Sequence, residues 1–406
     1  MADAPLALPS GMRDLLPPRA GERRALARAV MTAFQRYGYD PIVPPAFERE
    51  SVLTRGLGAR AQRDLVRFLD PDTGEVLALR PDMTPQIARI LATRYRDVPP
   101  PLRLAYEGSV IRRPRGRSRR HRQVAQAGVE CVGWSSLEAD VEVIRAAVEA
   151  LHAVGLDDVH VELSHASLSL ALLADVPEDV RDEVADALGR RDEAAWNALL
   201  PDRPALRAEL ACLSSLAGGP EVIARARAEL TATRHGRALD ALDEVVRALR
   251  EAGLGGRLLV DLGELRGHGY YTGVFFQALC DGVGGAVASG GRYDELLGRY
   301  GAPMAATGCA IDLEALEDAL TARGVSLADG SPSRVLVAGE GAERRAEAAR
   351  LRADGLFVCE IDATDEDAVR AYAVAHRCER ASVCTSDGVR TIEVVSRGDV
   401  DMPQRR

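Results

Sequence analysis

The chain has 406 residues, 47% of them hydrophobic, and a formal net charge of −9. This length allows two or three domains with ordinary hydrophobic cores, and the acidic balance excludes a general polyanion binder, so nucleic-acid contact would need a local basic patch. All 52 basic residues are arginine, which excludes a Walker-type phosphate loop, a pyridoxal Schiff base and a lysine general base.

Cysteine and histidine usage predicts neither a disulfide scaffold nor a metal site. The seven cysteines are scattered and never form a C-x-x-C pair. His160 and His165 lie five positions apart, with no matching cysteine or carboxylate pattern. We expect no metal and no cofactor. The segment Met1–Pro5 lacks the features of a signal peptide, and no run approaches the roughly 18 apolar residues of a membrane span. We therefore expect a cytoplasmic protein.

Three helices are predicted in the first part of the chain. The first follows Pro17 and runs to Tyr37, because apolar residues recur there every three or four positions. Thr84 before proline predicts a second helix start, at which the threonine hydroxyl caps free amides. Ser135 and Glu138 fit a capping box that opens a third helix.

Period-two alternation predicts strands at Val159–Leu163, Arg257–Leu262 and Val274–Leu279. The glycine pairs Gly284-Gly285 and Gly290-Gly291 predict turns between strands. Because short turns join consecutive strands, we expect an antiparallel sheet instead of a doubly wound one.

Composition divides the chain into segments. Residues 1–164 and 255–327 read as two parts of one sheet domain. Residues 165–254 are rich in alanine, arginine and glutamate and read as a helical insertion. After a linker at 328–333, a βαβ pattern predicts a small C-terminal α/β domain at 333–406.

Three motifs occur in a fixed order. Tyr106–Arg113 reads YEGSVIRR and is followed by QAGVE at Gln126–Glu130. Leu265–Gly273 reads LRGHGYYTG, and Gly308–Leu316 reads GCAIDLEAL. Over roughly residues 9 to 320 the chain resembles the histidyl-tRNA synthetase catalytic core. It resembles more closely the family's non-synthetase paralogue, the regulatory subunit of ATP phosphoribosyltransferase.

The resemblance implies an α+β fold. The expected core is a class II aminoacyl-tRNA synthetase-like antiparallel sheet of six strands flanked by helices, with a helical insertion and a small C-terminal α/β domain. The resemblance also implies a homodimer formed through the first class II motif. That motif looks like Tyr39–Glu48 here, with Pro45 as its interface proline.

The resemblance further implies a pocket for L-histidine. Histidine is a zwitterion whose ring carries a donor and an acceptor nitrogen, so a selective pocket must engage both ring nitrogens and both charges. By resemblance, Glu130 with Tyr270 or Tyr271 would engage the imidazole ring.

The remaining predicted pocket residues bind the charged end of the amino acid. By resemblance, Asp82 and Thr84 would hold the amino group, and Gln126 would contact the polar end. Arg112 or Arg266 could meet the carboxylate through charge-assisted hydrogen bonds.

Four positions depart from the synthetase pattern. Ala315 replaces the arginine after the glutamate of the third motif, and Pro114 replaces a glutamate near the adenine. Ala125 and Gly269 replace a histidine and an aspartate. Losing one well-placed electrostatic donor costs about 10²-fold to 10³-fold in rate, so we predict no aminoacylation.

The stretch Arg112–Arg122 contains seven arginines and His121 in an otherwise acidic chain. It could meet an acidic partner surface, a phosphate-rich ligand or RNA, or it could be a solvated loop. No aromatic residue interleaves the arginines to stack on bases, which disfavours RNA.

The leading functional hypothesis is a non-catalytic regulatory subunit. It would bind L-histidine, form a homodimer within a hetero-oligomer with a short-form ATP phosphoribosyltransferase, and confer feedback regulation on the first step of histidine biosynthesis. The main alternative is a divergent histidyl-tRNA synthetase, and a third possibility is an amino-acid sensor or modifying paralogue. Because the C-terminal segment carries few basic residues, we do not expect tRNA binding.

Overall fold

The structure is a computed structural model. It describes residues 6–112, 121–265, 270–325, 334–386 and 388–394, with side chains except at positions 59, 60 and 232. The chain divides into two compact units, residues 1–16 with 23–327 and residues 17–22 with 328–406.

The helices and strands of the described residues are numbered in chain order. The α-helices are α1 (Arg19–Arg36), α2 (Glu50–Gly56), α3 (Ala59–Arg63), α4 (Thr84–Arg94), α5 (Glu138–His152), α6 (Ala166–Leu173), α7 (Arg181–Gly189), α8 (Glu193–Leu199), α9 (Pro204–Ser215), α10 (Val222–Glu229), α11 (Ala232–Leu249), α12 (Leu313–Ala322), α13 (Gly341–Ala353) and α14 (Glu366–Ala375). The strands are β1 (Asp40–Pro41), β2 (Phe47–Arg49), β3 (Arg67–Leu69), β4 (Val76–Leu79), β5 (Leu102–Ile111), β6 (Gln123–Val132), β7 (His160–His165), β8 (Ala217–Gly218), β9 (Leu258–Asp261), β10 (Val274–Leu279), β11 (Ala288–Arg292), β12 (Ala306–Asp312), β13 (Arg334–Gly339), β14 (Phe357–Ile361), β15 (Cys378–Thr385) and β16 (Gly388–Glu393).

A large sheet forms the centre of the first unit, in the order β1-β5-β6-β12-β11-β10-β7-β9-β8. The six inner strands, from β5 to β7, are all paired antiparallel. At the margins β1 runs parallel to β5, and β9 runs parallel to β7. The predicted class II synthetase-like antiparallel sheet is therefore confirmed.

The two faces of the sheet are covered by different helices. Apolar residues of α1 and α5 join Val129 and Cys131 of β6 in the main core. On the opposite face, Ile87 of α4 and the preceding Met83 belong to one apolar cluster with Tyr106 of β5. Because side chains alternate along a strand, Gln126 and Glu130 of β6 lie on this second face.

Gly290 and Gly291 lie within β11, so the prediction of a turn at this pair was wrong. A Cβ atom on Gly290 would lie 2.3 Å from the carbonyl oxygen of Gly308 on β12. Glycine at position 290 therefore allows β11 and β12 to pack closely. The other pair, Gly284-Gly285, does lie in the connection between β10 and β11.

The start of α5 also differs from the prediction. The helix begins at Glu138 and lacks a side-chain cap from its preceding residue. The Glu138 amide donates instead to the hydroxyl of Ser136, at 3.2 Å. The predicted capping box at Ser135 was wrong, because the next serine supplies the oxygen.

Between β7 and β9 the chain is mainly helical, from α6 to α11, and its leucines pack into the same core as the sheet. We retain the domain boundaries at 164, 254 and 327 as a proposal. The predicted linker, 328–333, lies outside the described residues.

The second unit has the four-stranded order β14-β13-β15-β16. Strand β13 runs parallel to both β14 and β15, and β16 runs antiparallel to β15. Leu336 of β13 and Val369 of α14 belong to its core. The prediction of a small C-terminal α/β domain is confirmed.

Candidate functional site

The candidate site is built on the face of the sheet that carries Gln126 and Glu130 of β6. Opposite Glu130, β12 places Gly308 on one side and β5 places Leu104 on the other. Gln126 and Glu130 are both buried. Gln126 and Glu130 lie four positions apart in the pattern QAGVE, so both face the same side of β6. The structure brings this side of the strand beside the start of α4.

Glu130 is the central group of this site. The hydroxyl of Thr84 donates to its Oε1 atom, at 2.6 Å. Its Oε2 atom is buried without a hydrogen-bond partner. Burial raises the pKa of the Glu130 carboxyl well above its ordinary value; the Thr84 hydrogen bond opposes this shift, and the nearby charge of Asp82 adds to it. A buried unpaired acceptor is costly unless a ligand satisfies it.

Thr84 does not cap α4, so that part of the prediction was wrong. Thr84 is the first residue of the helix, and Met83 precedes it without a capping side chain. Thr84 is 8% exposed, and its hydroxyl donates to Glu130. Because Thr84 is already the first helical residue, its side chain is not at the N-cap position, from which a hydroxyl oxygen would accept from the free amides.

Two glycines leave room around the carboxylate. A Cβ atom on Gly308 would lie 2.1 Å from Oε2 of Glu130 and 2.7 Å from the hydroxyl of Tyr293. A Cβ atom on Gly128 would lie 2.5 Å from the hydroxyl of Tyr106. The open space around the polar atoms therefore depends on the absence of side chains at these positions.

Asp82 and Arg112 stand at the more open side, with side chains 31% and 35% exposed. Arg112 Nη2 lies 4.0 Å from Asp82 Oδ1. The arginine also donates from Nε to the carbonyl of Pro81, at 2.7 Å, and from Nη2 to Oε1 of Gln126, at 3.2 Å. Nε2 of Gln126 remains buried without a partner. The charged groups of Asp82 and Arg112 therefore lie beside the unused amide donor of Gln126.

Tyrosine rings form another part of the candidate site. The Tyr270 ring lies 5.2 Å from that of Tyr271, edge to face, and 5.1 Å from that of Tyr293. Tyr271 stacks on Phe275 with ring centroids 5.5 Å apart. Burial, followed by the charges of Asp82 and Glu130, raises the pKa of Tyr270. The phenols are therefore neutral hydrogen-bonding groups. Arg266 lies outside the described residues.

The structure adds residues that the sequence reasoning missed. Tyr106 is fully buried, and burial followed by the charge of Glu130 raises the pKa of its phenol. The buried hydroxyl of Tyr293 lacks a hydrogen-bond partner. Tyr106 opens the quoted YEGSVIRR stretch, and Tyr293 follows the glycine pair Gly290-Gly291, so both stood inside noted motifs.

The third motif and the N-terminal segment meet at the start of α12. Ala315 lies in the first turn of α12, and its amide donates to Oδ1 of Asp312, at 3.1 Å. The neighbouring Glu314 forms an ion pair with Arg13, at 2.7 Å. Most of the arginine-rich stretch, residues 113–120, lies outside the described residues.

Three further carboxylates form a cluster. Oxygen atoms of Glu162, Asp261 and Glu264 lie within 4.8 Å of one another. Arg191 forms an ion pair with Asp261, and the amide of Leu265 donates to Glu264. Because an arginine already supplies positive charge there, we assign no metal to the cluster.

Comparisons with known proteins agree with this architecture. A family model described as Histidyl-tRNA synthetase matches residues 11–316. A crystal structure of an ATP phosphoribosyltransferase regulatory subunit/histidyl-tRNA synthetase from Bacillus halodurans C is similar, with a TM-score of 0.78 and 30% sequence identity, over 91% of this chain and 97% of that one. The fold and site thus define a histidyl-tRNA synthetase-like protein.

Similar curated proteins make the family assignment more specific. An ATP phosphoribosyltransferase regulatory subunit of Geobacter metallireducens is 40% identical, over 78% of this chain and 74% of its own length. One from Moorella thermoacetica is 37% identical, over 92% of this chain and 97% of its own length. The chain belongs to the ATP phosphoribosyltransferase regulatory subunit family. Among the helices of the described residues, none has the length and apolar character needed to cross a bilayer.

Proposed function

We propose that the chain is the non-catalytic, histidine-binding subunit of an ATP phosphoribosyltransferase and makes the first step of histidine biosynthesis sensitive to its end product. The partner would be a short-form catalytic subunit. The observation that carries the proposal is the unpaired Oε2 atom of Glu130, buried beside the partnerless hydroxyl of Tyr293.

This set of groups is complementary to L-histidine. An imidazole N–H could donate to Glu130, and a tyrosine hydroxyl could serve the other ring nitrogen. The ligand's ammonium and carboxylate could bind near Asp82 and Arg112, which already lie 4.0 Å apart. Gln126 offers its free amide donor to the polar end of the ligand. Each unsatisfied group in the site would thereby gain a partner.

The absence of synthetase activity is part of the proposal. Ala315 leaves the start of α12 without the arginine that synthetases place near the triphosphate. The replacements at Ala125, Pro114 and Gly269 remove three more groups of the synthetase pattern. Each loss of an electrostatic donor costs about 10²-fold to 10³-fold in rate. The names of the curated relatives, which are regulatory subunits, also support a non-catalytic role.

Feedback regulation follows from linkage. If histidine binds more tightly to the inhibited form of the complex, it shifts the equilibrium toward that form by its difference in affinity for the two forms. A histidine site on a non-catalytic subunit would thus inhibit a reaction whose chemistry takes place on the partner.

We also propose a homodimer through the predicted segment Tyr39–Glu48. Val43 is 88% exposed in this segment, and Phe47 is 47% exposed. Phe47 packs edge to face on Phe68, which extends the apolar surface over the small β2-β4-β3 sheet. A dimer would cover these side chains.

The seven free cysteines support a cytoplasmic location, because they suit a reducing compartment.

The test is phosphoribosyl-ATP formation by a purified short-form catalytic subunit, with and without this chain, across a histidine titration. We expect the chain to be required for full activity and histidine to suppress that activity. Glu130→Ala should keep the stimulation and lose the histidine sensitivity. Glu162→Ala, which changes a glutamate on β7, is the matched control and should keep both. A wild-type chain that neither alters the rate nor confers sensitivity would overturn the proposal.

The alternative is a divergent histidyl-tRNA synthetase, favoured by the description of the matching family model. Histidine-dependent exchange of pyrophosphate into ATP separates the two. Exchange at synthetase-like rates would establish the alternative, and background exchange supports the regulatory role.

A further inference from the structure

Arg80 makes an unusual set of contacts next to the candidate site. Its side chain is buried, and its hydrogen bonds all run to main-chain carbonyl groups. Nε donates to Ser109, at 2.8 Å, and Nη1 donates to Pro44 and Pro45, at 2.9 and 3.1 Å. Burial lowers the pKa of the guanidinium. A buried cation is expensive, so its position is strongly fixed by the groups that solvate it.

The main chain of Arg80 joins the same segments. Its amide donates to the carbonyl of Ala46, at 3.3 Å, and its carbonyl accepts from the amide of Ile111, at 2.9 Å. Arg80 therefore connects the segment Pro44–Ala46 with the end of β5 through both its backbone and its side chain.

The residues after Arg80 enter the candidate site. The turn of residues 81–84 supplies the carbonyl of Pro81 to Arg112, the carboxylate of Asp82, and the hydroxyl of Thr84 to Glu130. Asp82 also accepts from the amide of Met83, at 2.7 Å. Residues 81–83 lie outside the regular helices and strands, between β4 and α4, so their geometry depends on such individual hydrogen bonds.

Packing beneath the turn leaves little freedom. A Cβ atom on Gly108 would lie 2.6 Å from Nη2 of Arg80 and 2.8 Å from Cε of Met83. The guanidinium and the methionine thus lie directly on the bare backbone of β5.

We propose that Arg80 is a positioning residue for the histidine site, an inference that rests on the proposed function. It anchors the turn of residues 81–84 to the carbonyls of Pro44, Pro45 and Ser109, and so sets the places of Asp82 and Thr84. Arginine suits this role because its planar group holds several N–H donors in a fixed arrangement. A lysine carries its charge on a single nitrogen and cannot reproduce this fixed arrangement of donors.

The experiment compares Arg80→Met and Arg80→Lys with the control Arg89→Met in the full chain. Arg89 lies on α4 and donates to Glu48 of β2, at 2.7 Å, so it also ties α4 to a neighbouring segment, but this bond does not involve residues 81–83. Histidine affinity is measured by calorimetry. Amide hydrogen exchange of residues 81–87 is measured without ligand, and melting temperature is recorded for every variant.

We expect Arg80→Met to weaken histidine binding by about tenfold or more, and to accelerate exchange in residues 81–87. Arg80→Lys should give an intermediate loss, and it replaces the methionine variant if that variant does not fold. Arg89→Met should change affinity by less than about twofold even where its melting temperature falls, because a partly exposed ion pair contributes little.

Two results separate the possible failures. Unchanged exchange and affinity in both Arg80 variants would overturn the inference. A wild-type chain that binds no histidine would overturn the proposed function instead. The exchange data would then still decide whether Arg80 holds the turn, because they need no ligand.

Discussion

Replacing Thr84 with valine removes the hydroxyl that donates to Glu130 while nearly preserving the shape of the side chain. The bond is 2.6 Å long, and both side chains are buried. A hydrogen bond between neutral groups contributes about 0.5–1.5 kcal/mol, and one to a charged group about 1.5–3 kcal/mol. The size of the effect therefore depends on the protonation of the carboxyl.

Protonation can be varied, because burial raises the pKa of Glu130 above its ordinary value of 4.5. The folded chain keeps a proton that the unfolded chain releases, so stability falls as pH rises between the unfolded and folded pKa values. Glu130→Gln cannot ionise and should remove this part of the pH dependence. Above the folded pKa the carboxylate is ionised, and the bond from Thr84 becomes charge-assisted.

The assay is a double-mutant cycle of Thr84→Val, Glu130→Leu and both, in urea, without histidine, because leucine removes the acceptor that glutamine would keep. Tryptophan fluorescence reports on the larger unit alone, because Trp134 and Trp196 are the two tryptophans of the chain. We expect a coupling free energy of about 0.5–1.5 kcal/mol where the carboxyl is protonated and about 1.5–3 kcal/mol where it is ionised. Coupling below about 0.3 kcal/mol at every pH would refute the bond, and the same dependence of stability on pH in the wild type and in Glu130→Gln would refute the raised pKa.

Three further predictions concern the first unit. Gly308→Ala should abolish histidine binding, because its Cβ atom would lie 2.1 Å from Oε2 of Glu130; calorimetry showing near-normal affinity would contradict this crowding. Burial lowers the pKa of His165 from 6.5 to about 4, so the unfolded chain binds a proton that the folded chain refuses, and stability should fall as pH drops from 6.5 to about 4. Relative to His165→Asn, the wild type should lose about 3 kcal/mol over that window in urea titrations, and a constant difference would count against the shift. Asp140→Ala should destabilise the unit by about 3–5 kcal/mol in urea, because it leaves Arg292 buried without its 2.8 Å ion-pair partner; a loss below about 1 kcal/mol would show that the pair is dispensable.

Local patterns predicted much of the fold. Alternating residues in β7 and β10 and the apolar stripe of α1 identified these elements closely, because one-sided burial imposes a period on the sequence. The errors occurred where contact with a distant strand decided the outcome. The pair Gly290-Gly291 reads as a turn by composition, but close approach to Gly308 at Gly290, and to Phe275 at Gly291, is what requires small residues there.

The ordered motifs of the sequence indicated the fold class, the family resemblance and the choice of Glu130 as a predicted site residue, and the resemblance added Thr84 to the predicted site. The tertiary structure alone decided that the Thr84 hydroxyl bonds Glu130 instead of capping its own helix, and that Tyr293 and Gly308 lie next to the free carboxylate oxygen. It also decided that the buried Arg80 donates to the main-chain carbonyls of Pro44 and Ser109. Local periodicity records which face of an element is buried. The partner of a buried polar atom depends on strand pairing and on helix placement across tens of residues, and no local pattern encodes it.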